Sequence, residues 1–247
     1  MKLYLIRHAE SANNLLSKGE DNFEGRNSDP EITDTGHRQA EILARHLSHP
    51  QGETRQQPFN AIGDHQYGFT HLYCSLMTRS LLTAEYVAKA CGLTQHVLPD
   101  IFEQYGIYEF DEHGQRKGLP GPDRRYFEQR FPNAVLPETV TSTGWWNRPA
   151  ETNAEFILRM RGVVAEIRQR HADSDDCVAM VVHADFIDQF VNELMLVPRH
   201  GNNYVKNWLG NWAFHNTSLS RVDMTADSHT VVYLNRIDHL PMDLLTY

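Results

Sequence analysis

Cysteine is scarce in this chain: there are three in 247 residues, at positions 74, 91 and 177. An odd number with no C-x-x-C pair excludes a disulfide framework or a zinc ribbon and points to a reducing compartment. No apolar run approaches the roughly 18 residues of a membrane span. The first predicted strand begins at residue 2, so no signal peptide is expected and the assignment is cytoplasmic. Positive charge is also in short supply: 23 Lys and Arg against 32 Asp and Glu leave a formal net charge of −9, which disfavours a nucleic-acid partner. A few arginines can still build a local positive pocket for a small anion. There are 14 histidines, but none stands in H-E-x-x-H or a similar ligand spacing, so no metal or other cofactor is expected. His46, His49, His65, His71, His171, His229 and His239 lie among polar residues and read as solvated. Internal repeats and low-complexity tracts are absent.

What remains is ordinary for a globular chain, 40% hydrophobic and 22% charged, and long enough to bury a large core. Its size favours one domain over residues 1–247. Lys2 to Ile6 reads as a buried strand and His71–Cys74 as a short one. A further short strand covers His96–Leu98, and Cys177–Val182 is apolar enough for a parallel strand buried on both faces. Two more strands follow at Ser218–Asp223 and Thr230–Asn235. Helical spacing marks about Thr35–Ser48, opened by the capping run Thr33-Asp34-Thr35, and Thr78–Cys91, closed by Gly92. It also marks Thr152–His171 and Ala184–Val197, the last stopped by Pro198. A short helix is expected near Asn13–Lys18. Pro50–Phe69 reads as an irregular excursion. Alternation of strands and helices predicts an α/β fold, a three-layer α/β/α sandwich with a mostly parallel central sheet. Residues 107–150, broken by Gly118, Pro120, Gly121, Pro122, Pro132 and Pro137, read as an irregular insertion. It would carry one helical piece at Asp123–Arg130, form a lid, and be anchored by Trp145-Trp146.

Chemistry-bearing residues fall at the predicted strand ends, where open α/β sheets bind ligands. Arg7-His8-x-Glu10 follows the first strand. Ser75 and Arg79 follow the second, and Glu103 follows the third. His183 ends the most apolar strand, and Asn216-Thr217-Ser218 precedes the next. A neutral imidazole is a competent nucleophile towards phosphorus. A phosphoryl group in transfer needs fixed cations on its oxygens, and planar arginine forks suit them. Arg7 and Arg79 can clamp from two sides, with His183 and helix N-terminal amides as further donors. Glu103 can protonate the leaving alkoxide and then activate water. His8 beside two arginines should have a lowered pKa and stay neutral in mild acid.

These motifs resemble those of the histidine phosphatase superfamily, in its phosphoglycerate-mutase-like branch. The opening R-H-G-E-[ST]-x-x-N appears as Arg7-His8-Ala9-Glu10-Ser11-Ala12-Asn13-Asn14. F-x-G-x-x-D-x-x-L-T-x-x-G-x-x-Q-A is matched, with a small shift, from Phe23 to Ala40. S-x-L-x-R-[AS]-x-x-T-A is matched from Ser75 to Ala84, with Met77 at the Leu position. The acid motif is similar to Phe102-Glu103-Gln104-Tyr105-Gly106, and the late V-x-H-G-x-x-I to Val181–Ile187. The motifs keep the family's order and cover most of the chain outside the insertion. The resemblance implies that His8 is phosphorylated, that Arg7, Arg79 and His183 hold the phosphate with help from Asn14, and that Glu103 is the acid/base. It implies that Gly25 and Arg26 cover the substrate, with Ala184 beside the pocket. Ala9 and Ala184 stand where the family usually has glycine, and Glu103 lies one residue nearer Gly106 than in the mutases.

The expected activity is metal-independent hydrolysis of a small phosphorylated metabolite through phosphohistidine. A mutase that moves phosphate between hydroxyls is the alternative; the mutases' late lysine-rich glycine motif is missing, Lys206 being the only lysine after His183. A silent phospho-ligand-binding module is the remaining reading. Arg124-Arg125 is similar to the paired arginines with which mutases hold a carboxylate, and equally to a solvated helix end. Trp208, Trp212 and Tyr204 serve the core or a dimer face, so a homodimer is one assembly open to the chain. Cys74 reads as a small core residue. His200 and His215 receive no role.

Overall fold

The computed structural model describes residues 1–16, 25–48, 67–195 and 212–247. Its main sheet runs in the order β6-β3-β2-β7-β1-β8-β9. The strands are β1 (Lys2–Arg7), β2 (His71–Cys74), β3 (Gln95–Val97), β6 (Ala134–Val135), β7 (Cys177–Val182), β8 (Leu219–Met224) and β9 (His229–Arg236). β1, β7, β2, β3 and β6 pair in parallel, while β8 and β9 close one side as an antiparallel hairpin. Helices α1 (Asp34–Ser48), α2 (Thr78–Cys91), α4 (Asn153–His171) and α5 (Ala184–Leu194) supply the outer layers.

The two-residue period of a strand sorts the core into two faces. On β1, Tyr4 and Ile6 join the cluster that includes Leu43, Leu47 and Ala40 of α1 and Leu81, Ala84 and Val87 of α2. Leu3 and Leu5 point the other way, among Phe156, Met160, Val163 and Ile167 of α4 and Phe186, Ile187 and Phe190 of α5. β7 divides likewise, with Cys177, Ala179 and Val181 on the first face and Val178, Met180 and Val182 on the second. Both faces of β7 are covered, so its sequence is a continuous apolar run rather than an alternating one.

Local signals set the ends of the helices. Thr33 Oγ1 accepts the Gly36 amide at 3.0 Å and opens α1. Gly92 takes the left-handed conformation (φ 66°) that ends α2. Thr152 and Glu155 form a reciprocal capping box on α4. α5 is described to Leu194; the expected extension to Val197 lies outside the described residues, as do most of the 50–69 excursion, Phe23, His200, Tyr204, Lys206 and Trp208. The expected 13–18 helix is a single 3₁₀ turn, Ala12–Leu15, as far as the described residues run.

Residues 107–150 are more ordered than expected. They contain an antiparallel hairpin of β4 (Tyr108–Phe110) and β5 (Arg116–Gly118), then α3 (Arg124–Arg130). They also contribute β6, which joins the edge of the main sheet. Strands of two or three residues, with Arg116-Lys117 in one, carry too little apolar alternation to be read from sequence. Two histidines expected in solvent are not there. His171 is buried between the Tyr73 hydroxyl and Asp176, and His239 stacks on His46, where burial lowers its pKa to about 3. Their polar neighbours in sequence are not their neighbours in space. Cys74 is a core residue as expected; burial pushes its thiol up to about 12. Among the described residues no helix is long and apolar enough to cross a membrane.

Candidate active site

The C-terminal ends of β1, β2 and β7 lie side by side, and each delivers a candidate residue directly. His8 follows β1 and its backbone amide donates to Val182 O of β7 at 2.9 Å. Its other supports come from far along the chain. The Asn216 side-chain amide donates to His8 O at 3.0 Å, and Thr217 N donates to Arg7 O at 3.0 Å. Thr217 takes φ 57° to do so. Gly36 packs so closely under this loop that a Cβ there would lie 2.2 Å from Glu10 O. Glu10 itself is structural, accepting from Thr33 Oγ1 at 2.6 Å. Ala9 and Ala184 are not among the positive-φ residues, so alanine fits both positions without strain.

The hydrogen bonds of His8 define its tautomer. Nδ1 lies 2.7 Å from Ala9 O, which can only accept, so Nδ1 carries the proton. Nε2 then presents a lone pair, to which Arg79 Nε–H donates at 3.1 Å. The His8 pKa is held well below the usual imidazole range, first by burial and then by Arg79 and Arg7. The expected direction holds, but exclusion of water outweighs the arginines.

Arg7 and Arg79 are both buried. Arg7 Nη1 donates to Phe214 O and its Nε has no protein partner. Burial lowers its pKa to about 10, opposed by Glu103 and Asp185, so it stays cationic at neutral pH. Arg79 enters from the first turn of α2. That helix is capped from a distance: Asp29 accepts from Thr78 N at 2.9 Å and from Thr78 Oγ1 at 2.7 Å, and its charge supports Arg79. His183 sits at the N-cap of α5 with Nε2 2.8 Å from Ser75 Oγ. Its buried Nδ1 has no protein partner. When Ser75 donates to Nε2, Nδ1 carries a proton free for an anion. The His8 and His183 ring centroids are 5.2 Å apart.

Glu103 lies at the N-terminus of α5. Oε1 accepts from Gln104 N at 2.9 Å and Phe186 N at 3.1 Å, and Oε2 accepts from Asp185 N at 3.3 Å. These bonds favour the carboxylate, yet its pKa is raised to about 7, by burial first and the neighbouring Asp185 second. The segment is held by a buried bidentate pair: Arg159 bonds Glu151 at 2.7 and 2.8 Å and donates to Asp100 O and Phe102 O. Trp146 packs edge-on against Phe102 at 4.8 Å and anchors the insertion, as expected.

The remaining candidates form the rim. Asn14 Oδ1 accepts from the Ser11 amide and hydroxyl, both at 2.9 Å, and Asn14, Arg7 and Ala184 line one cleft with Trp212, Phe214 and Tyr247. Gly25 takes φ 79° beside Arg26. The Arg26 guanidinium lies 4.0 Å above the Tyr108 ring, and that of Arg116 lies 3.7 Å above Tyr105. Arg124 is spent on Val140 O and Pro137 O, stapling α3 to the following turn. Asp29, Ser75, Glu151, Arg159 and Arg116 received no role from sequence. Only Asp29 and Ser75 stood inside quoted motifs, and that was the one signal available for them.

Fold and site define an α/β sheet protein that presents a neutral histidine between two arginines at its strand ends. The chain belongs to the histidine phosphatase superfamily (branch 1), whose model matches residues 3–237. It is 26% identical over 249 residues to phosphoserine phosphatase 1 of Hydrogenobacter thermophilus, covering 97% of this chain and 94% of that one. It is 25% identical over 224 residues to a probable phosphoglycerate mutase of Photorhabdus laumondii, covering 90% and 85%. In fold it is similar to a mycobacterial glucosyl-3-phosphoglycerate phosphatase, with a TM-score of 0.57 at 18% identity over 96% of this chain and 99% of that one.

Proposed function

We propose that this chain is a metal-independent phosphomonoesterase that hydrolyses a small phosphorylated metabolite through a phosphohistidine on His8. One observation carries the reading: His8 Nδ1 is tied to Ala9 O at 2.7 Å while Nε2 keeps its lone pair against Arg79 at 3.1 Å. An incoming phosphate takes over the Arg79 N–H groups, with Arg7 and the free Nδ1–H of His183 on its other oxygens. His8 Nε2 then attacks phosphorus. The P–O ester bond breaks, and the leaving alkoxide takes the Glu103 proton. Glu103, now a carboxylate, removes a proton from water as that water attacks phosphorus. The P–N bond breaks, phosphate leaves, and His8 returns to its neutral form. A carboxyl group with a pKa of about 7 suits both halves of this cycle near neutrality.

The rim supports a substrate with a second anionic group. Neither Arg26 nor Arg116 is ion-paired to a carboxylate among the described residues; Arg26 lies over Tyr108 and Arg116 over Tyr105. The phosphoserine- and phosphoglycerate-named relatives agree with that chemistry. Free cysteines at positions 74, 91 and 177 support a cytoplasmic setting.

The test is phosphate release from a panel of phosphomonoesters with chelator present, for wild type and His8→Ala. Release by wild type alone, with acid-labile label trapped on the protein, is the expected result. Equal release by His8→Ala overturns the reading. Transfer of label to a second hydroxyl without release of phosphate assigns the mutase reaction instead.

A further inference from the structure

Three side chains from separate segments converge at the other end of the sheet. His71 opens β2, His171 ends α4, and Asp176 immediately precedes β7. One ligand atom of each lies within 4.8 Å of the other two. The geometry points to a binding site for one divalent transition ion, zinc by its donor set, that is separate from the catalytic centre. The catalytic residues leave the C-terminal ends of β2 and β7, whereas this cluster lies at their N-terminal ends. A six-residue strand separates the two by roughly 20 Å.

The distances suit such an ion. Donors about 2.0–2.2 Å from a tetrahedral zinc lie a little over 3 Å from one another. Here His171 Nδ1 lies 2.9 Å from Asp176 Oδ2 and His71 Nδ1 3.8 Å from Asp176 Oδ1; an ion held by all three replaces the 2.8 Å contact between His71 Nδ1 and Thr70 Oγ1. The two imidazoles favour zinc over calcium or magnesium, which take oxygen ligands, and a single carboxylate is an ordinary third ligand for zinc.

The surroundings are those of a prepared site. Tyr73 OH lies 3.0 Å from His171 Nε2 and aims the other nitrogen at Asp176. On loading, Nε2 carries the ring proton and donates it to the tyrosine oxygen, which is the outer support metal-bound histidines need. Ser174 Oγ donates to His171 O at 2.6 Å and accepts from Asp176 N at 3.1 Å, so one tight turn fixes two ligands relative to each other. His171 is buried, while the side chains of His71 and Asp176 are 37% and 27% exposed. A fourth position is therefore open to water. A bound ion would tie the end of α4 to the starts of β2 and β7, and its effect would be on stability rather than on turnover.

The experiment uses the full chain stripped with chelator and then titrated with Zn²⁺, or with Co²⁺ as a spectroscopic substitute. Binding is read by calorimetry and cobalt absorption, and stability by thermal unfolding. The expected result is one ion per chain with micromolar or tighter affinity. At a hundredfold excess over Kd the melting temperature should rise by about 5–10 °C, with turnover of the stripped enzyme unchanged. His71→Ala and Asp176→Asn should each lose at least about tenfold in affinity, the cost of a missing ligand or its support. Their metal-free melting temperatures separate a lost site from a lost fold. No binding by wild type overturns the inference. So does binding unchanged in both variants, which would place the ion elsewhere, and so does loss of turnover on stripping, which would make the ion catalytic.

Discussion

Replacing Glu103 with Gln removes the proton donor while keeping most of the hydrogen bonds that hold the side chain. The amide oxygen can still accept from Gln104 N and Phe186 N, at 2.9 and 3.1 Å; only the weaker 3.3 Å contact from Asp185 N is lost. Loss of a general acid costs roughly 10²- to 10⁴-fold in kcat, or about 3–5 kcal/mol of barrier. The pH profile makes the test specific. In wild type kcat/KM, which reports phosphorylation from the free enzyme, should fall as pH rises through about 7, where Glu103 ionises, and should persist in mild acid because His8 stays neutral. Glu103→Gln should show a low rate without that fall. Stability should move the other way. The folded-state pKa of Glu103 is raised from 4.5 to about 7. The proton is held more tightly in the folded state, so this contribution is full in acid and is lost between pH about 4.5 and 7. The shift corresponds to at most roughly 3 kcal/mol. The variant cannot ionise there, so above pH 7 it should melt several degrees higher than wild type. Steady-state kinetics from pH 4.5 to 9 with matched melting curves decide the matter. A variant with wild-type kcat and the same fall above pH 7 would refute the role assigned to Glu103.

Asp29→Ala should lower the melting temperature by several degrees, since it uncaps α2 and leaves the Thr78 amide unpaired, a loss of about 1–3 kcal/mol. It should also lower kcat/KM because Arg79 loses a supporting charge; unchanged kinetics with a lowered melting temperature would restrict Asp29 to the cap. Glu151→Gln should be more damaging, about 3–5 kcal/mol by chemical denaturation, because it strands the buried Arg159 that holds the carbonyls of Asp100 and Phe102. A loss below about 1 kcal/mol would show that the pair is not what positions the Glu103 segment. Arg116→Ala should raise KM about tenfold or more for phosphomonoesters that carry a further anionic group and leave those without one unaffected. An equal effect on both kinds would remove Arg116 from substrate selection.

The sequence proved most informative where a structural cause is local. β7 was readable because a strand covered on both faces must be apolar throughout, and α2 because Gly92 ends it with a left-handed residue. His8 and His183 were readable at strand ends because each directly follows an apolar run, β1 and β7; Arg79 lies in the first turn of the helix after β2 and Glu103 in the segment after β3. The hairpin and edge strand inside 107–150 were not readable. Strands of two or three residues leave no periodicity; the hairpin sits where Trp146 packs against Phe102 and Arg116 over Tyr105, and the edge strand is held by its pairing with β3.

By itself, then, the sequence determined the order of elements, the two-faced patterning of the sheet, and which histidines, arginines and glutamate stand at the strand ends or in the segments after them. All of these arise from residues close together along the chain. Only the tertiary structure decided that Asp29 caps α2, that Arg159 and Glu151 lock the acid's segment, and that His71, His171 and Asp176 meet at the far end of the sheet. It also decided the protonation of the site. Burial is what keeps His8 neutral and raises Glu103 to about 7, and burial depends on how distant segments pack, which no local pattern of residues records.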